Sequence, residues 1–196
     1  NRFSNRIIRA YDTFTLWKAI KSSINTNENS KERIEKNLET INTYDAIFPT
    51  ILVSLETTFI IELYKFFDKR KDVLKLIEVN TLKSVMELSV SERVKKEIES
   101  IIENNEKTIE QIEKLRHVLF AHDKKLNKEK LLIPSINDIE KLFIGIREIH
   151  NLLSKDSTGD FYVWSDEKGD EIIWHFKELL ANLNVGRQHR ITENIK

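Results

Sequence analysis

The stretch Leu115-Arg116-His117-Val118-Leu119-Phe120-Ala121-His122-Asp123 gathers an arginine, two histidines and an acid at the end of the most regular apolar repeat in the chain. Imidazoles titrate near neutrality, so two of them can take up one proton and release another during a reaction. A guanidinium stays charged, and its planar fork of N–H donors matches paired anionic oxygens. Arg116, His117 and His122 therefore have the means for acid–base catalysis at an anionic centre, with Arg116 stabilising the charge. On an ideal helix Arg116 and His122 diverge by about 120°. Either the helix ends before His122, or two copies of the motif meet across a twofold axis to build one cleft. A purely structural alternative makes Arg116 the ion-pair partner of Glu113 or Asp123 and leaves His122 as a helix-terminal cation favoured by the macrodipole.

Other chemistries fit less well. Asp156, Thr158, Asp160 and Glu167 echo the ligand spacing of a calcium loop, but Phe161 stands where the sharp turn requires glycine, so a solvated acidic loop is expected. Gly-rich phosphate loops are absent, and His150 and His175 lack a second ligand one helical turn away. With no cysteine in the chain, disulfides, thiolate nucleophiles and thiolate metal sites are excluded. No metal and no cofactor are expected.

The elements that must position the motif are helical. Among 196 residues there are 4 glycines and 2 prolines, too few to punctuate a many-stranded fold, while 40% hydrophobic content is enough for a core. Phe3, Ile7, Tyr11, Phe14, Trp17 and Ile20 form the stripe of a first helix. Asn29 with Glu32 reads as a capping box for a second, running through Ile34, Leu38 and Ile41 to Phe48. Pro49 opens a third that reaches Phe66 and stops near Asp68, with a loop over 69–72 and short helical pieces over 73–79 and 82–88. From Ser91 a heptad seam of Val94, Ile98, Ile101, Asn105, Thr108, Ile112, Leu115, Leu119 and His122 predicts one arm of a long antiparallel helical hairpin. Pro134 and Ser135 open the other arm, through Leu153. Residues 156–170 read as a loop and 172–183 as a last helix, with a hairpin of 161–164 against 172–175 as the minor alternative.

Charge and hydropathy bound the partners. The 32 basic residues balance the 32 acidic ones, so nucleic acid or an anionic membrane would have to be recognised by a local site. Lys124 and Lys125, directly after the motif, are the candidate RNA-binding residues, with Lys128 and Lys130 beyond them and Arg187, Arg190 and Lys196 in the tail. The longest contiguous apolar stretches, such as 59–61 and 51–53, fall short of the roughly 20 residues of a spanning helix. The amino terminus does not resemble a signal peptide, and a cysteine-free chain suits a reducing compartment. A cytoplasmic protein without a membrane partner is expected.

The spacing of Arg116 and His122, with five residues between them, resembles the R-x4-6-H signature of the HEPN superfamily of helical bundles. The polar His117 after the arginine, the small Ala121 before the second histidine and Asp123 after it resemble the abortive-infection branch of that superfamily. Glu62-Leu63-Tyr64-Lys65-Phe66-Phe67-Asp68 is similar to the acid-bearing, aromatic-rich helix end that precedes the motif helix in those proteins. The resemblance spans about 50–155. It implies a single all-α domain over 1–196, with a HEPN-like core at about 50–155 and helices 1–48 and 170–184 packed on it. It further implies metal-independent RNA cleavage with Arg116, His117 and His122 as catalytic residues and Glu62, Asp68 and Asp123 as supporting acids. The partners so implied are an RNA substrate, a second copy in a homodimer and a cognate antitoxin protein. Part of the superfamily lacks nuclease activity, so a non-catalytic dimerisation or interaction module stands as the alternative.

Overall fold

The computed structural model describes residues 2–25, 29–67, 90–120 and 133–193. Seven helices and no strand occur among the described residues: α1 (Arg2–Ser22), α2 (Lys31–Thr43), α3 (Ile47–Phe67), α4 (Glu92–Asn104), α5 (Glu106–Phe120), α6 (Ile136–Thr158) and α7 (Glu167–Glu193). The chain is all-α, consistent with a HEPN-like bundle. Residues 161–164 form no strand and 172–175 lie inside α7, so the minor hairpin does not form. The loop over 69–72 and the helical pieces over 73–79 and 82–88 lie outside the described residues.

Serine caps set three of the starts. The side chains of Ser30, Ser91 and Ser135 accept from the backbone N–H of Arg33, Val94 and Asp138, and Asp138 completes a capping box by accepting from the Ser135 N–H. The cap of α2 is thus Ser30 and not Asn29. Asn29 instead donates through Nδ2 to the Ser22 carbonyl at 2.8 Å, closing the turn after α1. α2 also stops earlier than its apolar stripe predicts. Residues 44–46 turn, and α3 starts at Ile47, which leaves Pro49 in the first helical turn where its missing N–H costs no hydrogen bond.

The heptad seam is interrupted. Asn105 takes φ −112°, ψ 6°, and its side-chain Nδ2 bonds back to the Ile101 carbonyl at 2.8 Å, so α4 ends and α5 begins there. A short polar amide that captures its own helix's carbonyl competes with continued helix, which the periodicity alone did not register. The same position is tightly packed. A Cβ on Gly145 of α6 would lie 3.0 Å from Ile101 Cγ2 and 3.2 Å from Asn105 Nδ2, so glycine permits the close approach of α4. α6 in turn runs to Thr158 and is closed by Gly159 at φ 78°, while α7 starts at Glu167 and extends well past 183. Asp156, from the calcium-like spacing, accepts from Ser91 N–H at 2.9 Å and from Ser91 Oγ at 2.8 Å, and these bonds hold its carboxyl below its ordinary range.

The chain packs as two compact units, residues 1–11 with 57–164 and residues 12–56 with 165–196. In the first, α6 buries Ile139, Leu142, Phe143, Ile146, Ile149 and Leu153 in one stripe. α4 and α5 pack on it, and Phe59, Leu63 and Phe66 of α3 with Phe3 and Ile7 of α1 complete the core. The second unit centres on Ala19, Ile20, Phe48, Phe176 and Leu180, and its α2 and α7 are tied by an Arg187–Glu39 ion pair. By length and composition α3 is apolar enough to cross a membrane, with a mean hydropathy of 1.5, although its contiguous apolar runs are short. Its second half supplies core residues, Phe59, Ile60, Leu63 and Phe66, whereas Ile47, Ile51 and Val53 in its first half are exposed.

His150 is the buried polar centre of the first unit. Its ring stacks on Phe3, meets the edges of Tyr162 and Trp164, and its Nε2 lies 2.9 Å from Ser4 Oγ. Burial pushes its pKa below the ordinary 6.5, outweighing the opposing effect of the Asn151 amide. An unfolded chain then binds a proton at a higher pH than the folded one, so stability present above about pH 6.5 is lost as pH falls below it. Urea unfolding at a series of pH values should show this loss, and a His150→Phe variant should show a flatter profile between about pH 7 and 5. An unchanged slope would refute the assignment.

Candidate active site

The motif arginine stands just before the last turn of α5, and its partner surface comes from the last turn of α3. The carbon of the Arg116 guanidinium lies 4.9 Å from the centroid of the Tyr64 ring, a cation over a π face. His117, the next residue, meets the same ring edge-on at 6.4 Å between centroids and 67° between planes. Arg116 Nη1 is 3.5 Å from His117 Nδ1. On its other side His117 Nε2 is 3.9 Å from Glu113 Oε1, one turn back along α5. Tyr64 is thus a buried platform for both motif side chains, while His117 is exposed to solvent.

The platform is held by the core. Leu63 and Phe66, on either side of Tyr64, are completely buried, as is Ile112 one turn before Arg116, and Leu115 is buried beside it. These contacts fix the helix ends and with them the place of the guanidinium over the ring. Glu62, expected as a supporting acid, is buried at 8% exposure and directs Oε1 to Lys65 Nζ at 2.9 Å and Oε2 toward Arg6 Nε at 3.6 Å. Its described partners are therefore cations of α1 and α3. His122, Asp68, Asp123, Lys124 and Lys125 lie outside the described residues.

The structure brings together Arg116 and His117, and it adds Tyr64, a residue that sequence reasoning missed. Tyr64 lies within the aromatic-rich end of α3, and the available signal was a polar-tipped aromatic between two core positions. Chemically, a guanidinium over an aromatic face places a positive charge at this surface, with an exposed imidazole beside it. Among the described residues no group of three or more histidine and carboxylate side chains forms a metal cage.

The coupling of Arg116 to Tyr64 is measurable. In a double-mutant cycle of Arg116→Met and Tyr64→Leu, unfolding free energies should show an interaction of about 0.5–1 kcal/mol, the size of a partly exposed cation–π contact. Strict additivity of the two losses would mean that the ring does not hold the guanidinium.

Known proteins resemble this chain at the level of family. The family model HEPN_AbiU2, described as AbiU2, matches residues 1–176. No curated protein and no solved structure matches the chain. The family match runs from α1 into α7 and so contains Tyr64, Arg116, His117 and His122. On that match the chain belongs to the AbiU2 family, a HEPN-type abortive-infection family.

Proposed function

We propose that this protein is an endoribonuclease of a phage-defence or toxin–antitoxin system that cleaves RNA without a metal ion. The observation that carries the reading is Arg116 seated over Tyr64 with His117 3.5 Å from its guanidinium, in a chain of an abortive-infection family. RNA supplies its own nucleophile, the 2′-hydroxyl. A neutral imidazole removes the hydroxyl proton as the oxygen attacks phosphorus. The bond from phosphorus to the 5′-oxygen breaks, and an imidazolium delivers a proton to that leaving oxygen. One proton is taken and one is given, so the products are a 2′,3′-cyclic phosphate and a 5′-hydroxyl. His117 and His122 supply the two imidazoles, and the fork of Arg116 balances the charge that gathers on the phosphoryl oxygens. Proton transfer and charge stabilisation are then both done by side chains.

The divergence of Arg116 and His122 on one helix favours a homodimer in which each cleft takes groups from both protomers. Lys124 and Lys125 guide the RNA backbone toward that cleft, and a cognate antitoxin protein and a cytoplasmic setting accompany the reading. A second reading, a non-catalytic dimerisation module, is favoured by the His117–Glu113 pair, an i,i+4 contact that a helix surface makes without any catalytic role.

Purified protein incubated with total RNA in excess EDTA should cleave it and leave cyclic phosphate and 5′-hydroxyl ends. His122→Ala and His117→Ala should each lower the rate by about 10²- to 10⁴-fold, the usual contribution of a general acid or base. Loss of cleavage in EDTA, or 5′-phosphate ends, would point to a metal mechanism. Absence of cleavage in the wild type would favour the interaction module.

Dimeric clefts make a separate expectation. Mixing inactive Arg116→Ala protein with inactive His122→Ala protein should restore activity, because one of the two clefts in a mixed dimer then holds an intact arginine and an intact histidine. A dilute monomer that still cleaves RNA would defeat the composite cleft.

A further inference from the structure

The second unit holds a cavity of about 480 Å³ between α1, α2 and α7, within the range of small-ligand sites. Its charge is one-sided. Lys18, Arg33, Lys36 and Lys177 line it, and no described carboxylate does. Two of these cations are engaged, since Lys36 pairs with Glu32 at 2.8 Å and Lys18 makes an interaction of its own. Arg33 and Lys177 are exposed and make no ion pair with a described residue. In a chain of zero net charge they leave a local excess of positive charge at the mouth. Arg33 sits in the first turn of α2, where the helix dipole also favours an anion.

The depth of the cavity has a different character. Ala19, Phe176 and Leu180, members of the second unit's core, line it, and Ile173 and Ala181 continue an apolar wall along α7. The lining residues of α7 run from Ile173 to Asn184, a rise of about 16 Å. Neutral donors at the border are turned to the backbone. Asn29 and Asn37 donate to the carbonyls of Ser22 at 2.8 Å and Ser23 at 2.7 Å, and Ser23 Oγ donates to the Ile20 carbonyl at 2.7 Å. An occupant therefore meets an elongated apolar wall in the depth and unpaired cations at the mouth.

We propose that this cavity is a binding site for a free long-chain carboxylate, with its alkyl chain along the α7 wall and its head at Arg33 and Lys177. Methylenes leaving water against Phe176 and Leu180 supply affinity, and the fork of Arg33 suits the two oxygens of a carboxylate. An extended alkyl chain advances about 1.25 Å per carbon, given C–C bonds near 1.5 Å, so about twelve carbons span the wall. Other occupants fit less well. A small inorganic anion would leave the apolar wall uncovered. A partner helix is too thick: a cylinder about 10 Å across takes up about 420 Å³ per turn, so the cavity admits little more than one turn. A bilayer surface would meet the cations and leave the depth empty. The motif residues Arg116 and His117 do not line the cavity, so the site goes beyond the ribonuclease reading and stands or falls separately from it.

Isothermal titration of the full chain with hexanoate, octanoate, decanoate, laurate and myristate, each below its micelle concentration and near neutral pH, tests the site. Affinity should rise about fourfold per added methylene and level off at about twelve carbons, where the wall is covered. Dodecyltrimethylammonium, with the tail of laurate and the opposite charge, should bind about tenfold or more weakly than laurate. The double variant Arg33→Gln/Lys177→Gln should lose about tenfold or more in laurate affinity, because each lost charge removes a charge-assisted hydrogen bond. Ala181→Trp, which sets an indole into the cavity, should lose about as much. All three positions are exposed, so the helical circular dichroism and Tm of both variants should match those of the wild type. The proposal is overturned if neither decanoate nor laurate binds, if affinity ignores chain length or climbs undiminished to myristate, if dodecyltrimethylammonium binds as tightly as laurate, or if either variant binds laurate as the wild type does. Binding to phosphatidylglycerol vesicles without binding of monomeric laurate would overturn it in favour of a membrane surface. Every readout is binding, so loss of RNA cleavage in other variants leaves these outcomes unaffected.

Discussion

The buried stripe of α6 is the constraint on which the first unit depends. Leu142, Phe143, Ile146 and Ile149 are each within about 1% of full burial, and each such side chain contributes roughly 1.5–3 kcal/mol by leaving water. Three other features take their positions from it. Gly145 lets α4 approach at Ile101 and Asn105, Phe143 receives the edge of Tyr11, and His150 stacks on Phe3 of α1. The Ser91–Asp156 pair then ties the start of α4 to the end of α6. With α4 and α5 placed against α6, the C-terminal part of α5 carries Arg116 to the ring of Tyr64.

Cations on aromatic faces recur in the first unit. Arg147 lies 4.0 Å from the Tyr11 ring centroid and 5.5 Å from that of Trp164, and Lys155 is 4.9 Å from that of Phe161. Arg116 over Tyr64 follows the same rule. An aromatic face attracts a guanidinium without neutralising its charge. Glu62, the carboxylate nearest in sequence to this platform, is occupied by Arg6 and Lys65.

Family membership and residue geometry support different parts of the reading. The match over 1–176 places the chain in an abortive-infection family, and the geometry at Tyr64 gives a physical reason for an arginine and a histidine to share one surface. The proposed RNA cleavage rests on the chemistry open to these two groups together with a second imidazole.

The sequence by itself determined the all-helical class, the Ser135 start of α6, the inner stripe from Ile139 to Leu153, and the family, through Arg116, His117, His122 and their neighbours. These are local properties: periodicity, caps and a contiguous motif are written in adjacent residues. Tertiary structure decided the rest. The break at Asn105 depends on a side chain preferring the Ile101 carbonyl over continued helix at a packed crossing, while heptad spacing runs through it unchanged. Likewise the cap of α2 passed from Asn29 to Ser30 because Asn29 was needed to close the turn after α1. The role of Tyr64 and the cationic cavity lined by Lys18, Arg33 and Lys177 join residues far apart in the chain, and only packing brings such residues to one place.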